Sequence, residues 1–143
     1  MTKIFAPIHD HAAAEGPAMF DHVSLVVSDF KRSRAFYDAA LAPLGIGVRF
    51  EATDPDGHPF AGYGRERPMF WLNSSGAASG AVHIAFAARS RAEVDGFHRA
   101  ALAAGDRDNG LPGLRPLYDP NYDGAFVLDP DGLNVEAVFK GAP

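Results

Sequence analysis

The stretch FDHVSLVVSD at residues 20–29 alternates in polarity along most of its length and ends in Ser-Asp, a helix-capping pair. This alternation predicts a strand, and a helix should follow it, because Phe36, Ala40 and Leu41 recur at helix spacing. Pro43 and Gly45 predict the end of that helix. Three further short strands are predicted at 48–53, 59–65 and 69–73.

The same pattern begins again 61 residues later. AVHIAFA at 81–87 alternates, and Ser90 with Glu93 forms a capping box that opens a second helix. At this offset, and without any gap, His22 aligns with His83 and the two helices stay in phase. The sequence therefore predicts a duplicated βαβββ module and an α+β fold of about eight strands and two helices.

The domain organisation follows from where this pattern starts and stops. Residues 1–18 lack periodicity and are rich in Ala, which predicts an N-terminal extension. A single domain is then expected over 19–140, with modules at 19–75 and 79–140. Because residues 106–124 are rich in Gly, Pro and Asp, the sequence predicts a long loop there before the last two strands.

Composition excludes several classes of protein. The chain has 143 residues, a net charge of −5 and no cluster of Lys or Arg, so nucleic acid and anionic membranes are not expected as partners. It has no cysteine, which excludes disulfides and thiolate metal sites. No apolar run reaches the length of a membrane span, and the N-terminal residues do not resemble a signal peptide. A cytoplasmic protein is therefore expected.

Strand alternation also predicts which side chains line a site. In the first, fifth and last predicted strands, bulky apolar residues share one face, and His22, His83 and Glu136 lie on the other. No Lys or Arg lies within three residues of Glu136, although a carboxylate on a partly buried strand needs a partner. Two imidazoles and one carboxylate suit a borderline divalent metal. These three residues are therefore candidate metal ligands.

The duplicated module, the histidines of FDHVSLVVSD and VHIAF, and the C-terminal DPDGLNVEAV resemble the vicinal oxygen chelate superfamily. This superfamily includes glyoxalase I, bleomycin-resistance proteins, extradiol dioxygenases and fosfomycin-resistance enzymes. The resemblance implies two modules whose mixed sheet curls around a cup. It also implies a divalent metal held by residues of the first, fifth and last strands, positions that His22, His83 and Glu136 match. A homodimer is implied as well, because such modules often share a cup between subunits.

One departure from glyoxalase I bears on the ligand set. That enzyme takes a fourth ligand from the last strand of the first module, and here Met69–Leu72 carries no ligating side chain. His58 and Glu66 are the nearest substitutes. What remains is a His, His, Glu set similar to the three-ligand sites of extradiol dioxygenases and fosfomycin-resistance enzymes. Fe, Mn, Ni, Co and Zn all remain possible metals.

Two functions are compatible with these residues. The first is a small metalloenzyme, similar to a glyoxalase-type lyase or a dioxygenase, acting on an oxygen-bearing small molecule. For it we predict substrate contacts from Tyr63, Trp71 and Arg115, and proton exchange by Tyr118 or Tyr122. The alternative is a metal-free protein that binds and sequesters a small molecule, as bleomycin-resistance proteins do. A metal analysis separates the two.

Overall fold

The computed structural model describes residues 21–76 and 82–141, and these residues form eight strands, two α-helices and one turn of 3₁₀ helix at Ala42–Leu44. The predicted extension at 1–18 lies outside these residues. The elements are β1 (Val23–Val26), α1 (Phe30–Leu41), β2 (Gly47–Thr53), β3 (Pro59–Gly64), β4 (Phe70–Asn73), β5 (His83–Ala87), α2 (Arg91–Ala103), β6 (Arg107–Leu114), β7 (Tyr122–Leu128) and β8 (Asn134–Lys140).

The strands form two four-stranded mixed sheets with matching topology. Their orders are β1-β4-β3-β2 and β5-β8-β7-β6. In each sheet the first and last strands of the module pair in parallel, and the other pairs are antiparallel. This arrangement confirms the duplicated βαβββ module and the α+β class.

Both helices begin where the capping residues predict. The side chain of Asp29 accepts a hydrogen bond from the backbone N–H of Arg32 at 3.1 Å, and Ser90 accepts one from Glu93 at the same distance. Asp29 and Ser90 are themselves 61 residues apart, so the two modules start their helices in the same way. Neither helix of the described ranges is long and apolar enough to cross a membrane.

The prediction of a loop over 106–124 is wrong. Strand β6 lies at Arg107–Leu114, β7 begins at Tyr122, and only the residues between them connect the two strands. Because β6 is the edge strand of its sheet, Pro112 can be accommodated without a central ladder bond being lost. The pairing with β7 shifts register on both sides of Gly110, so Gly and Pro here mark an irregular edge strand.

The two modules meet through their helix-bearing sides. Phe70 of β4 contacts Phe86 of β5 edge to face, with ring centroids 5.0 Å apart. The hydroxyl of Tyr37 on α1 donates a hydrogen bond to Asp129, which follows β7, at 2.7 Å. One apolar core therefore spans both modules, and His83, Glu136 and Trp71 lie on the opposite faces of their sheets.

The Tyr37–Asp129 bond gives a stability prediction. Burial raises the pKa of Asp129, and Tyr37 is its hydrogen-bond donor from the other module. Tyr37→Phe leaves a buried carboxylate oxygen without that donor, so we expect a loss of about 2 kcal/mol and a thermal midpoint roughly 6 °C lower. Tyr118→Phe is the control, because the Tyr118 side chain is exposed. Equal midpoints for the two variants would contradict the prediction.

Candidate metal and ligand site

A histidine and a glutamate lie together on the open face of the second sheet. Because β5 pairs with β8 in parallel, His83 lies opposite Asn134 and Ala85 opposite Glu136. Nε2 of His83 is 2.9 Å from Oε1 of Glu136. The histidine side chain is 46% exposed and the glutamate side chain 2%, so the pair joins a buried carboxylate to an imidazole that solvent can reach.

The hydrogen bonds of His83 determine which of its ring nitrogens presents a lone pair to Glu136. Nδ1 is 3.1 Å from the backbone oxygen of Asn134, which can only accept, so Nδ1 carries the hydrogen of that bond. In a neutral ring Nε2 is then a lone pair directed at the Glu136 carboxylate. Two acceptors this close need either a proton shared between them or a cation that both of them bind.

Tyr122 holds the other oxygen of Glu136. Its hydroxyl donates a hydrogen bond to Oε2 of the carboxylate. Partial burial and the neighbouring carboxylate raise the pKa of Tyr122 well above its ordinary range, so the phenol keeps its proton. Gly124 provides space for this contact, since a Cβ there would be 3.0 Å from Oε2. Oε2 is thus occupied, and Oε1 is directed at His83.

Aromatic and basic side chains surround the pair. The ring of Phe126 stacks on His83 with centroids 6.1 Å apart, and the Arg115 guanidinium lies 5.3 Å from the centre of the Phe126 ring. Arg115 also donates to the backbone oxygens of Leu111 and Gly113 in β6, which fixes its position. Tyr118 contacts Tyr122 edge to face at 4.9 Å. Arg115, Tyr118 and Tyr122 therefore lie around the His83–Glu136 pair.

His22 lies elsewhere, on the open face of the first sheet. It is exposed, and its Nδ1 is 2.9 Å from a carboxylate oxygen of Asp21. Within residues 21–76 and 82–141 of one chain, no three His, Asp or Glu side chains gather as a metal site. The structure thus brings together two of the three predicted ligands, and His22 does not join them within the chain.

The predicted substrate contacts of the first module separate into two groups. Trp71 lies on the open face, beside Phe60 and Phe50. Tyr63 faces the helix side instead: it is fully buried and donates a hydrogen bond to Asp38 on α1 at 2.8 Å. Tyr63 is thus packed in the core, where it also forms part of the wall of a cavity between the modules.

Neither nearby substitute for a fourth ligand joins the pair. His58 lies in the β2–β3 turn, 3.5 Å from a carboxylate oxygen of Asp54. Glu66 follows β3 and lines a cavity between the modules with Arg65 and Arg67. The pair on the second sheet thus gains no ligand from either residue.

Phe126 and Lys140 are site residues that sequence reasoning missed. The ammonium of Lys140 lies 5.5 Å from the centre of the Tyr122 ring, and Phe126 pairs directly with Glu136 across β7 and β8. Residues directly opposite in an antiparallel pair point to the same face. The alternation from Tyr122 to Phe126 indicates that Phe126 shares this face. The predicted loop over 106–124 includes the first residues of β7, so that prediction leaves this alternation unused.

The fold is built from two βαβββ modules, and the second module places a histidine against a buried glutamate. The family model of the Glyoxalase/Bleomycin resistance protein/Dioxygenase superfamily matches residues 19–137, and the chain belongs to this superfamily.

Among solved structures, a glyoxalase/bleomycin resistance protein from Albidiferax ferrireducens T118 is 30% identical, with a TM-score of 0.70, covering 87% of this chain and all of its own. A glyoxylase/bleomycin resistance protein/dioxygenase domain from Frankia sp. EAN1pec shares the fold at 19% identity and a TM-score of 0.67, covering 88% of this chain and 100% of its own. An E144Q mutant of glyoxalase I from Zea mays shares the fold at 24% identity and a TM-score of 0.62. There the match covers 83% of this chain but only 46% of the maize protein. No curated protein matches the chain in sequence.

Proposed function

We propose that this protein is a metal-dependent enzyme that acts on an oxygen-bearing small molecule. His83 and Glu136 of one subunit would hold a divalent metal together with His22 of a second copy. The observation that carries the proposal is the contact of 2.9 Å between Nε2 of His83 and Oε1 of a carboxylate that is almost fully buried. Buried carboxylates of this kind are stable only when they are paired with a proton, a cation or a metal.

The donor set fits a divalent metal. Two imidazoles and one carboxylate are the ligands that Fe, Mn, Ni, Co and Zn accept, and three protein ligands leave positions open for substrate oxygens. The backbone oxygen of Asn134 fixes the tautomer of His83, and Tyr122 holds Oε2, the oxygen of Glu136 that does not face His83. Contacts of this kind orient metal ligands in proteins.

A homodimer would complete the ligand set. The modules are joined through their helix sides, and His22 lies on a different sheet from His83 and Glu136. A two-fold arrangement that places the open face of one first module against the second module of the partner would unite the three ligands twice. Each subunit would then contribute to both sites.

The side chains around the pair have distinct roles in this proposal. A bound divalent metal supplies Lewis-acid stabilisation of negative charge that develops on a chelated substrate oxygen. Tyr122 keeps its proton and holds Glu136 in the ligating orientation, while Arg115 presents a positive charge beside Phe126. Tyr118 is exposed at the edge of the site, where its hydroxyl could exchange a proton with substrate.

The role of Tyr122 gives a prediction. Tyr122→Phe keeps the ring and removes only the hydrogen bond to Oε2, so the carboxylate loses its orientation. We expect metal affinity to fall about 10- to 100-fold, the usual effect of losing a partner that orients a ligand. Tyr118→Phe is the matched control and should bind metal like the wild type. Competition with a fluorescent chelator measures both, and equal affinities would contradict the assigned role.

A second candidate function is metal-free binding of a small molecule. The observation that favours it is the cluster of Phe50, Phe60 and Trp71 on the open face of the first sheet, which can hold an apolar ligand without chemistry. Metal analysis of protein purified without added metal and without a histidine tag separates the two functions. An enzyme should carry a bound transition metal, whereas the binding protein should not.

A further inference from the structure

The first module carries an indole at the position where the second carries a carboxylate. In the second sheet Ala85 pairs with Glu136, and in the first sheet Ser24 pairs with Trp71. Ser24 and Ala85 are 61 residues apart, the offset that relates the modules. Trp71 is therefore the structural counterpart of Glu136. The open face of the first sheet thus presents an aromatic ring where that of the second sheet presents a carboxylate.

Trp71 belongs to a three-ring cluster, here called the aromatic face. It consists of Phe50, Phe60 and Trp71, with ring centroids 5.9 to 6.1 Å apart. Gly62 makes this packing possible, because a Cβ there would lie 2.7 Å from an indole carbon. Real Cβ atoms do not approach other atoms so closely. The indole can therefore lie against β3 only because residue 62 is glycine.

The aromatic face is open to solvent. Phe50 is 40% exposed, and Phe60 and Trp71 are half-buried. Phe60 and Trp71 line a cavity of about 290 Å³, and its polar lining includes Asp21, His22 and Ser24. The three rings lie outside the apolar core, and exposed aromatic clusters with a polar rim mark binding sites.

We propose that the aromatic face binds a planar aromatic ring of the substrate. The oxygens of the substrate then lie on the side of that bound ring that is nearest to His22. The proposal rests on the proposed function for the direction of those oxygens, but ring binding itself needs no metal. Aromatic rings stack on or contact each other edge to face, and the exposed faces of Trp71 and Phe60 offer both geometries. A saturated ring is thicker and lacks this interaction.

The test compares two neutral probes on chelator-treated protein, 1-phenyl-1,2-ethanediol and 1-cyclohexyl-1,2-ethanediol. The probes carry the same vicinal oxygens and differ in ring aromaticity. Trp71 is the only tryptophan of the chain, so its emission reports on this site. We expect saturable binding of the phenyl diol, about fivefold tighter than the cyclohexyl diol, as one aromatic pair supplies. Equal affinities, or no change in emission with either probe, would overturn the proposal.

Two variants locate the ring. Phe60→Leu keeps an apolar side chain and the Trp71 reporter, and it should reduce the preference for the phenyl diol to near unity. Phe139→Leu makes the same change in β8 of the second module and should leave the preference intact. Thermal unfolding checks that both variants fold, and Phe50→Leu, at an exposed position, replaces Phe60→Leu if that variant does not. If Phe139→Leu changed the preference as much as Phe60→Leu, the assignment to the aromatic face would be wrong.

Metal uptake by the same protein is measured separately, so that this proposal and the proposed function can fail independently. Protein that prefers the phenyl diol but takes up no divalent metal overturns the proposed enzyme and retains the ring site. Protein that binds metal but shows no ring preference retains the proposed enzyme and overturns this inference.

Discussion

Glu136→Gln is expected to lower metal affinity by more than about 100-fold, because the change removes the one charged ligand and keeps its size and hydrogen-bonding capacity. The glutamine can still accept a hydrogen bond from Tyr122, and no buried charge remains. The variant should therefore unfold at a midpoint equal to or above that of the metal-free wild type. Calorimetric titration with Mn, Ni and Zn measures the affinity, and thermal unfolding checks the fold.

Asn134→Ala is the matched control for Glu136→Gln. Asn134 lies two residues away on the same face of β8, but it supports His83 through its backbone oxygen, which the substitution leaves in place. Among the described residues, its side chain forms one hydrogen bond, which it accepts from Asn109. A loss as large in Asn134→Ala as in Glu136→Gln would mean that the metal is bound elsewhere or that the whole face has been disturbed.

Mixed dimers of two variants that each lack one metal ligand are expected to regain metal binding. His22→Ala and Glu136→Gln each damage both sites of their own homodimer. In a heterodimer the two damaged groups fall in one site, and the other site has all of its ligands. Random pairing of equal amounts should restore about a quarter of the wild-type binding capacity at wild-type affinity, as two-fold symmetry requires.

The variants are unfolded and refolded together so that subunits exchange, and each is also refolded alone. Neither variant alone should bind at wild-type affinity. If the mixture binds no more metal than the average of its components, the site is not shared between subunits. The proposed dimer would then be wrong, even if the wild type binds metal.

The fold is largely readable from the sequence, because its signals are local. Alternation in FDHVSLVV and HIAFA, and capping by Asp29 and Ser90, each act within a few residues, and the offset of 61 repeats them. Strand β6 was not predictable in this way. Its residues RDNGLPGL have a loop composition, and only pairing with β7 at the edge of the sheet makes them a strand.

The site is readable only in part, because residue type and strand face can be predicted and distances between sheets cannot. Alternation places Glu136 and His83 on the open face, where they are found in contact. It also places His22 on an open face, but the packing of one module on the other decides which sheets meet, and the sequence has no local signal for that. Tyr63 shows the same limit, since its neighbours gave no indication that it faces α1.

We propose that this chain binds one divalent metal through His22, His83 and Glu136. The most direct measurement is calorimetric titration of chelator-treated wild-type protein with Mn, Ni, Zn and anaerobic Fe(II), repeated at falling pH. We predict one metal per chain for at least one of these ions, with affinity falling as pH falls, because protons compete for the imidazole nitrogens. Wild-type protein that takes up none of the four ions would contradict the claim and leave a metal-free binding protein.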